Sequence, residues 1–329
     1  MKLKTYFARH ALLICNLTNS MKSILLIALL TTCSPLAAKE SVPEIIALWP
    51  DGAPGFSKNF SGENTRLDTR HMTEISNPFM RIFPADPTQT TGHALIVLPG
   101  GGYSVLADQH EGDMIARHFA SKGITSFVIC YRVSKKHQEI GYQFPGPLLD
   151  ARQAIRHIRK NAAEYKIDPH KLGVIGFSAG GHLAGMCATR YSDTLTGEPT
   201  SDISVRPDFT ALIYPVVSMI EPNTHSGSRR GLLGKNPSKE QMIAASAERR
   251  VTRRTPPLFI VHNQFDRVTS LNSQLLTLAA TKAKVPCELH LYPATRHGFG
   301  IGTPGKDPAA GWVNLLERFI KRQKPAGKQ

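Results

Sequence analysis

Gly176-Phe177-Ser178-Ala179-Gly180 is the segment of this 329-residue chain best suited to covalent chemistry. It fits the G-x-S-x-G pattern, in which a sharp strand-to-helix turn lifts a serine hydroxyl clear of a sheet edge. Such a turn crowds its own backbone, so the positions two before and two after the serine must be nearly free of side chain, and Gly176 and Gly180 meet that need. A serine hydroxyl is a weak nucleophile until a base takes its proton. With the chain order serine, acid, histidine, the base follows the last strand, and His297 stands there in Arg296-His297-Gly298-Phe299-Gly300. His290 lies within that strand, and His182, one turn beyond Ser178, reads as structural. The acid is expected one strand earlier, where Asp266 is the only carboxylate after Pro257-Leu258-Phe259-Ile260-Val261-His262; Glu221 is the fallback. Asp266 would hold the histidine tautomer and stabilise the imidazolium formed when Ser178 gives up its proton. Donors for a tetrahedral oxyanion are expected from Gly101 and Gly102, in Pro99-Gly100-Gly101-Gly102-Tyr103, and from the N–H of Ala179. No phosphate loop, HExxH helix or CxxC pair is present, and the 13 histidines lack ligand spacing, so neither metal nor cofactor is expected.

These residues need a scaffold that brings loops from one sheet edge together. Apolar runs at 94–98, 125–133, 172–177, 209–217, 257–262 and 288–292 alternate with helical patterns near 110–121 and 147–164. Continuous apolar strands separated by helices imply an α/β fold, a mostly parallel central sheet covered by helices on both faces. The last helix is expected to be capped by Asp307, with Pro308 in its first turn and Trp312, Leu315, Leu316, Phe319 and Ile320 as its apolar stripe. Ile45 to Pro50 and Phe79 to Phe83 are candidate antiparallel leading strands, and the polar stretches 191–207 and 222–256 are candidate loops or a small lid.

Residues 1–38 hold Lys2, Lys4, Arg9 and Lys22 and no acid, with Met21-Lys22-Ser23 opening onto an apolar run and Ala37-Ala38 closing it. That order is a signal peptide's, with cleavage after Ala38 and Met21 as an alternative start. The run is too short to span a bilayer. The expected organisation is a leader at 1–38, a leading segment at 39–93, a catalytic domain at 94–322 and a basic tail at 323–329. The mature protein is expected to be exported, periplasmic or extracellular, with lipidation at Cys33 as an alternative. Export would leave Cys130, Cys187 and Cys287, an odd number that argues against a disulfide framework; Cys130 and Cys187 read as small buried hydrophobes. The formal charge of +15 falls to +11 without the leader's four cations. Arg249, Arg250, Arg253 and Arg254 read as a solvated cluster, and without interleaved aromatic residues they do not make a nucleic-acid platform.

Three motifs together resemble those of the secreted bacterial carbohydrate esterases of the α/β-hydrolase superfamily, a group related to acetyl xylan and feruloyl esterases. They are Leu98-Pro99-Gly100-Gly101-Gly102-Tyr103 with His110-Glu111-Gly112 downstream, Gly176 to Ala184, and Leu291-Tyr292 through Gly300. The similarity runs from about residue 44 to 320, and Pro99 stands where related lipases have the histidine of HGGG. His262-Asn263-Gln264-Phe265-Asp266 departs from the His-Gly or His-Ala and paired acids frequent in the group. The resemblance implies a serine esterase acting on an acylated saccharide or other small ester, acetyl before feruloyl. Its rivals are a prolyl-oligopeptidase-type serine peptidase, for which no propeller-length segment precedes residue 94, and a non-catalytic binding protein of the same fold. The acyl group, the sugar and the oligomeric state are left open by the sequence.

Overall fold

The computed structural model describes residues 42–56, 62–136 and 141–323. The leader, Cys33 and the tail beyond Gln323 lie outside the described residues. Ten strands and seven α-helices follow one another as β1 (Glu44–Ala47), β2 (Thr65–Arg66), β3 (Met72–Thr73), β4 (Phe79–Phe83), β5 (Ala94–Leu98), α1 (Met114–Ala120), β6 (Thr125–Cys130), α2 (Gly146–Lys160), β7 (Leu172–Phe177), α3 (Ala179–Thr189), β8 (Phe209–Ile213), α4 (Ser226–Leu233), α5 (Lys239–Ala244), β9 (Leu258–Asn263), α6 (Leu271–Ala283), β10 (Cys287–Tyr292) and α7 (Trp312–Arg322). Eight strands form one sheet in the order β1-β4-β6-β5-β7-β8-β9-β10. From β6 to β10 all neighbours are parallel, whereas β4 runs antiparallel to β6 and β1 antiparallel to β4. The leading segment therefore extends the same sheet that carries the motifs.

Strand side chains alternate between the two faces, which explains why the apolar runs are unbroken. On β5, Leu95 and Val97 pack with Ile115 and Phe119 of α1 and with Trp312, Leu316 and Phe319 of α7. Ala94, Ile96 and Leu98 pack to the other side with Leu148, Ile155 and Ile158 of α2 and Leu183 and Met186 of α3. Farther along that side, α6 lays Leu276 and Ala280 on Leu258 and Ile260 of β9. Cys130 and Cys187 are fully buried, and burial pushes both thiols up to about 12. With Cys287 they are free thiols.

Three expectations change. The apolar run 209–217 leaves the sheet after Ile213, because Tyr214 takes a positive φ of 38°. Of the two alternatives for 222–256, open loop gives way: the stretch holds α4, α5 and a short 3-10 turn at Ala247–Arg249. The final helix starts at Trp312 with Gly311 at its cap, and Asp307 instead accepts the Thr303 amide at 2.7 Å and pairs with Arg296 at 3.0 Å. Asp307 thus braces the loop bearing His297 rather than capping a helix. Among the described residues, no helix is long and apolar enough to cross a membrane.

One buried ion pair anchors the leading segment. Arg132 and Asp150 side chains are both 0% exposed and meet at 2.6 Å, and Asp150 also accepts the Trp49 indole N–H at 2.8 Å. Arg132 in turn donates to the Pro54 carbonyl. All partners of the two charges are supplied from within the fold, the condition under which a buried pair is tolerated.

Candidate active site

The elbow forms because β7 passes into α3 without a loop. Ser178 is held at φ 51°, ψ −115°, a strained conformation for a residue with a Cβ. Backbone packs against the turn so tightly that a Cβ on Gly176 would lie 2.0 Å from the Gly180 carbonyl oxygen, and one on Gly180 would lie 2.1 Å from that of Leu98. The Ser178 amide bonds to Ile213 at 3.0 Å and its carbonyl accepts the Val216 amide at 3.0 Å, so the turn is pinned to the end of β8 from both sides.

The structure brings all three expected triad residues together. His297 Nε2 stands 2.9 Å from Ser178 Oγ, and its Nδ1 stands 2.8 Å from Asp266 Oδ2. Burial alone would raise the Asp266 carboxyl, but the His262 imidazole 3.6 Å away, the His297 hydrogen bond and charge and the Val268 amide outweigh it and hold the group at about 2. An ionised carboxylate only accepts, so Nδ1 carries the proton and the bare Nε2 accepts from the serine hydroxyl. The fallback acid, Glu221, is remote from this contact: its side chain is 64% exposed and pairs with Arg229 at 2.9 Å. His182 is fully buried between the Tyr103 hydroxyl at 2.8 Å and the Ala245 carbonyl at 2.7 Å. Because a carbonyl cannot donate, His182 Nε2 carries the hydrogen and Nδ1 accepts from Tyr103. Burial lowers this imidazole to about 4, which keeps it neutral and consistent with a packing role.

Gly101, Gly102 and Ser178 line a common cavity of about 410 Å³, within the size range of small-ligand sites. The N–H groups of Gly101 and Gly102 donate to no acceptor among the described residues. Ala179 opens α3, where first-turn amides lack intrahelical partners and the helix dipole favours negative charge. The three expected oxyanion donors are thus free to serve a ligand.

Several residues of the site had no role assigned from the sequence. Glu111 is only 3% exposed; its Oε2 accepts the Gly100 amide at 2.8 Å and its Oε1 accepts the Tyr214 hydroxyl at 2.8 Å. The same hydroxyl accepts the Gly300 amide at 3.0 Å, and the Tyr214 ring meets the His297 ring edge-on at 5.0 Å between centroids. A buried strut therefore runs from the glycine loop through Glu111 and Tyr214 to the histidine loop. Glu111 sits in a π-helical turn, Gln109–Asp113, fixed by Asp108, which receives Arg66 at 2.6 Å and Arg81 at 3.0 Å. On the acid side, His262 contacts the Val268 carbonyl at 2.9 Å and the Ser273 hydroxyl at 2.7 Å, and the Asn263 amide reaches the Arg296 carbonyl at 2.8 Å. Side chains of the unusual His262-Asn263 pair thus knit the acid loop to α6 and to the histidine loop. His225 and Gly227, at the start of α4, complete one wall of the cavity.

Residues 80–279 match the BD-FAE family, more than half of the chain. The chain belongs to the BD-FAE family. Its fold is that of the α/β hydrolases. This BD-FAE chain is 38% identical over 212 residues to endo-1,4-beta-xylanase B of Butyrivibrio fibrisolvens, a stretch covering 63% of the chain and 32% of that protein. It is 35% identical over 222 residues to an acetylxylan esterase of Xylanibacter ruminicola, covering 66% of the chain and 43% of that protein. The chain therefore spans less than half the length of either relative. Among solved structures, an acetyl ester-xyloside bifunctional hydrolase from Caldicellulosiruptor lactoaceticus superposes with a TM-score of 0.72 at 35% identity, over 86% of this BD-FAE chain and 98% of that one.

Proposed function

We propose that this protein is a serine esterase that removes acyl groups, acetyl foremost, from a carbohydrate through an acyl-enzyme. The observation that carries the reading is the unbroken relay from Asp266 through His297 to Ser178 Oγ at 2.8 and 2.9 Å, opening on a cavity where the Gly101 and Gly102 amides meet no acceptor among the described residues. Ser178 Oγ attacks the ester carbonyl while its proton passes to His297 Nε2. Asp266, ionised and fixed to Nδ1, stabilises the imidazolium that forms. Negative charge on the carbonyl oxygen is received by the amides of Gly101, Gly102 and Ala179. Collapse of the tetrahedral adduct breaks the bond to the sugar oxygen, which leaves with the proton from Nε2. A water then gives a proton to His297 Nε2 as it attacks the acyl-serine, and collapse releases the carboxylic acid while Ser178 Oγ takes that proton back from Nε2.

The acetyl and saccharide parts of this reading are supported by the printed activities of the relatives, an acetylxylan esterase and an acetyl ester-xyloside hydrolase. Hydrolysis of 4-nitrophenyl acetate and acetate release from acetylated xylan test it. Wild-type rates no higher than those of Ser178→Ala would overturn it, since loss of the nucleophile should cost several powers of ten. Export, proposed from residues 1–38, is tested by the N-terminal sequence of the protein recovered outside the cytoplasm, which should begin at Lys39.

A further inference from the structure

A cavity of about 410 Å³ has room for more than an acetyl group, so its wall bears on the rest of the substrate. Its ionisable lining consists of His71, His110, Glu111, His225, Arg267 and His297. Glu111 is buried with both oxygens engaged, and His297 belongs to the relay. His71 pairs with Asp68 at 3.0 Å, and His225 accepts the Ser228 amide at 3.2 Å. His110 is half-buried and lies 3.7 Å from Glu111. Arg267 is the exposed member of the set, and its guanidinium makes no hydrogen bond or ion pair with any described residue. The neighbouring Asp266 makes no ion pair with it, since that carboxylate is turned to His297 and to the Val268 amide at 2.9 Å. Burial lowers the His225 imidazole, and the charges of His297 and Arg267 lower it further while that of Asp266 raises it. Phe265, on the other side of Asp266, is 61% exposed. The loop thus alternates out, in, out, with an aromatic ring and an unpaired guanidinium flanking the buried acid.

We infer that Phe265 and Arg267 form a subsite for a carboxylated sugar, the saccharide ester being one that carries a uronate on or next to the acylated residue. The inference rests on the esterase reading for the reaction but not for the binding. A guanidinium presents a planar fork that matches a carboxylate bidentately, while the apolar face of a pyranose ring lies against the phenyl ring. The formal charge, +11 without the leader's four cations, favours approach of such polyanions. An ion pair at an exposed position is weak and screened by salt, so the expected gain is roughly three- to tenfold at low ionic strength and less at high.

The test uses the full chain and two substrates that differ only in charge, acetylated oligogalacturonides with free carboxylates and the same oligomers after methyl esterification. Wild type should release acetate with a kcat/KM several-fold higher for the free acid. That ratio should fall towards one in Arg267→Gln and at high salt, and recover in part in Arg267→Lys. Phe265→Ala should lower kcat/KM for both substrates and leave the ratio in place. Binding is read separately by calorimetry of de-acetylated oligogalacturonate, and of its methyl ester, on Ser178→Ala protein with and without Arg267→Gln. Equal treatment of acid and methyl ester by wild type, or a ratio unmoved by Arg267→Gln, overturns the subsite. Charge-selective binding without acetate release would keep the subsite and overturn the esterase reading instead.

Discussion

Tyr214→Phe isolates one oxygen atom whose loss should be felt on both sides of the nucleophile. The Tyr214 hydroxyl donates to Glu111 Oε1 at 2.8 Å and accepts the Gly300 amide at 3.0 Å, and it is fully buried. Burial, and then the nearby Glu111 charge, push its pKa well above the ordinary tyrosine value, so it stays a donor at any working pH. Phenylalanine keeps the ring against His297 but leaves a carboxylate oxygen and a buried amide without partners. A hydrogen bond to a charged group contributes about 1.5–3 kcal/mol and a neutral one about 0.5–1.5 kcal/mol, so the variant should lose about 2–4 kcal/mol of stability. If the strut only stabilised the fold, folded enzyme would turn over normally. Because it registers the Gly100 and Gly300 loops to each other, a displacement of the base or the amides by a fraction of an ångström should lower kcat by roughly 10- to 100-fold with KM little changed. The assay is kcat for 4-nitrophenyl acetate per fluorophosphonate-titrated site, measured well below the melting temperature. A lower melting temperature with kcat per site within twofold of wild type would refute the positioning argument.

Asp266→Asn should retain the fold and substrate binding while kcat drops by roughly 10²- to 10⁴-fold, because an amide favours the wrong imidazole tautomer; Glu221→Gln, at an exposed surface pair, should be near normal, and the reverse pattern would move the acid. Asp150→Asn should destabilise by about 3–5 kcal/mol, measured by denaturant melts, since it strands a buried Arg132, and Arg132→Met with Asp150→Leu should recover much of the loss. His182 gives a pH signature. Its folded pKa of about 4 lies below the reference value of 6.5, so the unfolded chain binds the proton first, and the stability it contributes is complete above the reference value and lost as pH falls. The interval corresponds to about 3 kcal/mol, and His182→Gln, which can still accept from Tyr103 and donate to Ala245, should show a correspondingly shallower loss between about pH 6.5 and 4. Parallel curves for the two proteins would contradict it.

The elbow and its partners were legible because each depends on a local, covalent pattern. Gly176 and Gly180 are demanded by backbone oxygens about 2 Å from where a Cβ would sit, whatever the rest of the chain does. Asp266 and His297 could be placed because each follows an apolar strand long enough to be recognised. Tyr214 was hidden by the same rule that revealed the strands: Phe209 to Val217 is one apolar run, and nothing in its composition marks the residue at which the chain turns out of the sheet with φ 38°. The cap assigned to Asp307 failed for a related reason. Local preference placed a carboxylate before a proline and an amphipathic stripe, but a stronger partner, Arg296 at 3.0 Å, was eleven residues back and could be met only by folding.

Glu111 shows most clearly where sequence reasoning about a site stops. A carboxylate between a histidine and a glycine, nine residues after the glycine loop, carries no mark of what it does. Its function in the fold depends on two acceptor oxygens being claimed at once, one by the Gly100 amide and one by Tyr214, more than a hundred residues away. Neither contact leaves a periodicity. A charged group can be kept this deep only when its lone pairs are filled by such donors, so Glu111 is maintained by the same loops that it holds in place. The corollary is directional: Glu111→Gln keeps an oxygen for one donor but faces the other with an amide. It should therefore fall between wild type and Glu111→Ala in kcat per titrated site. An activity for Glu111→Gln equal to that of Glu111→Ala would mean that the charge, rather than the paired geometry, is what the site requires.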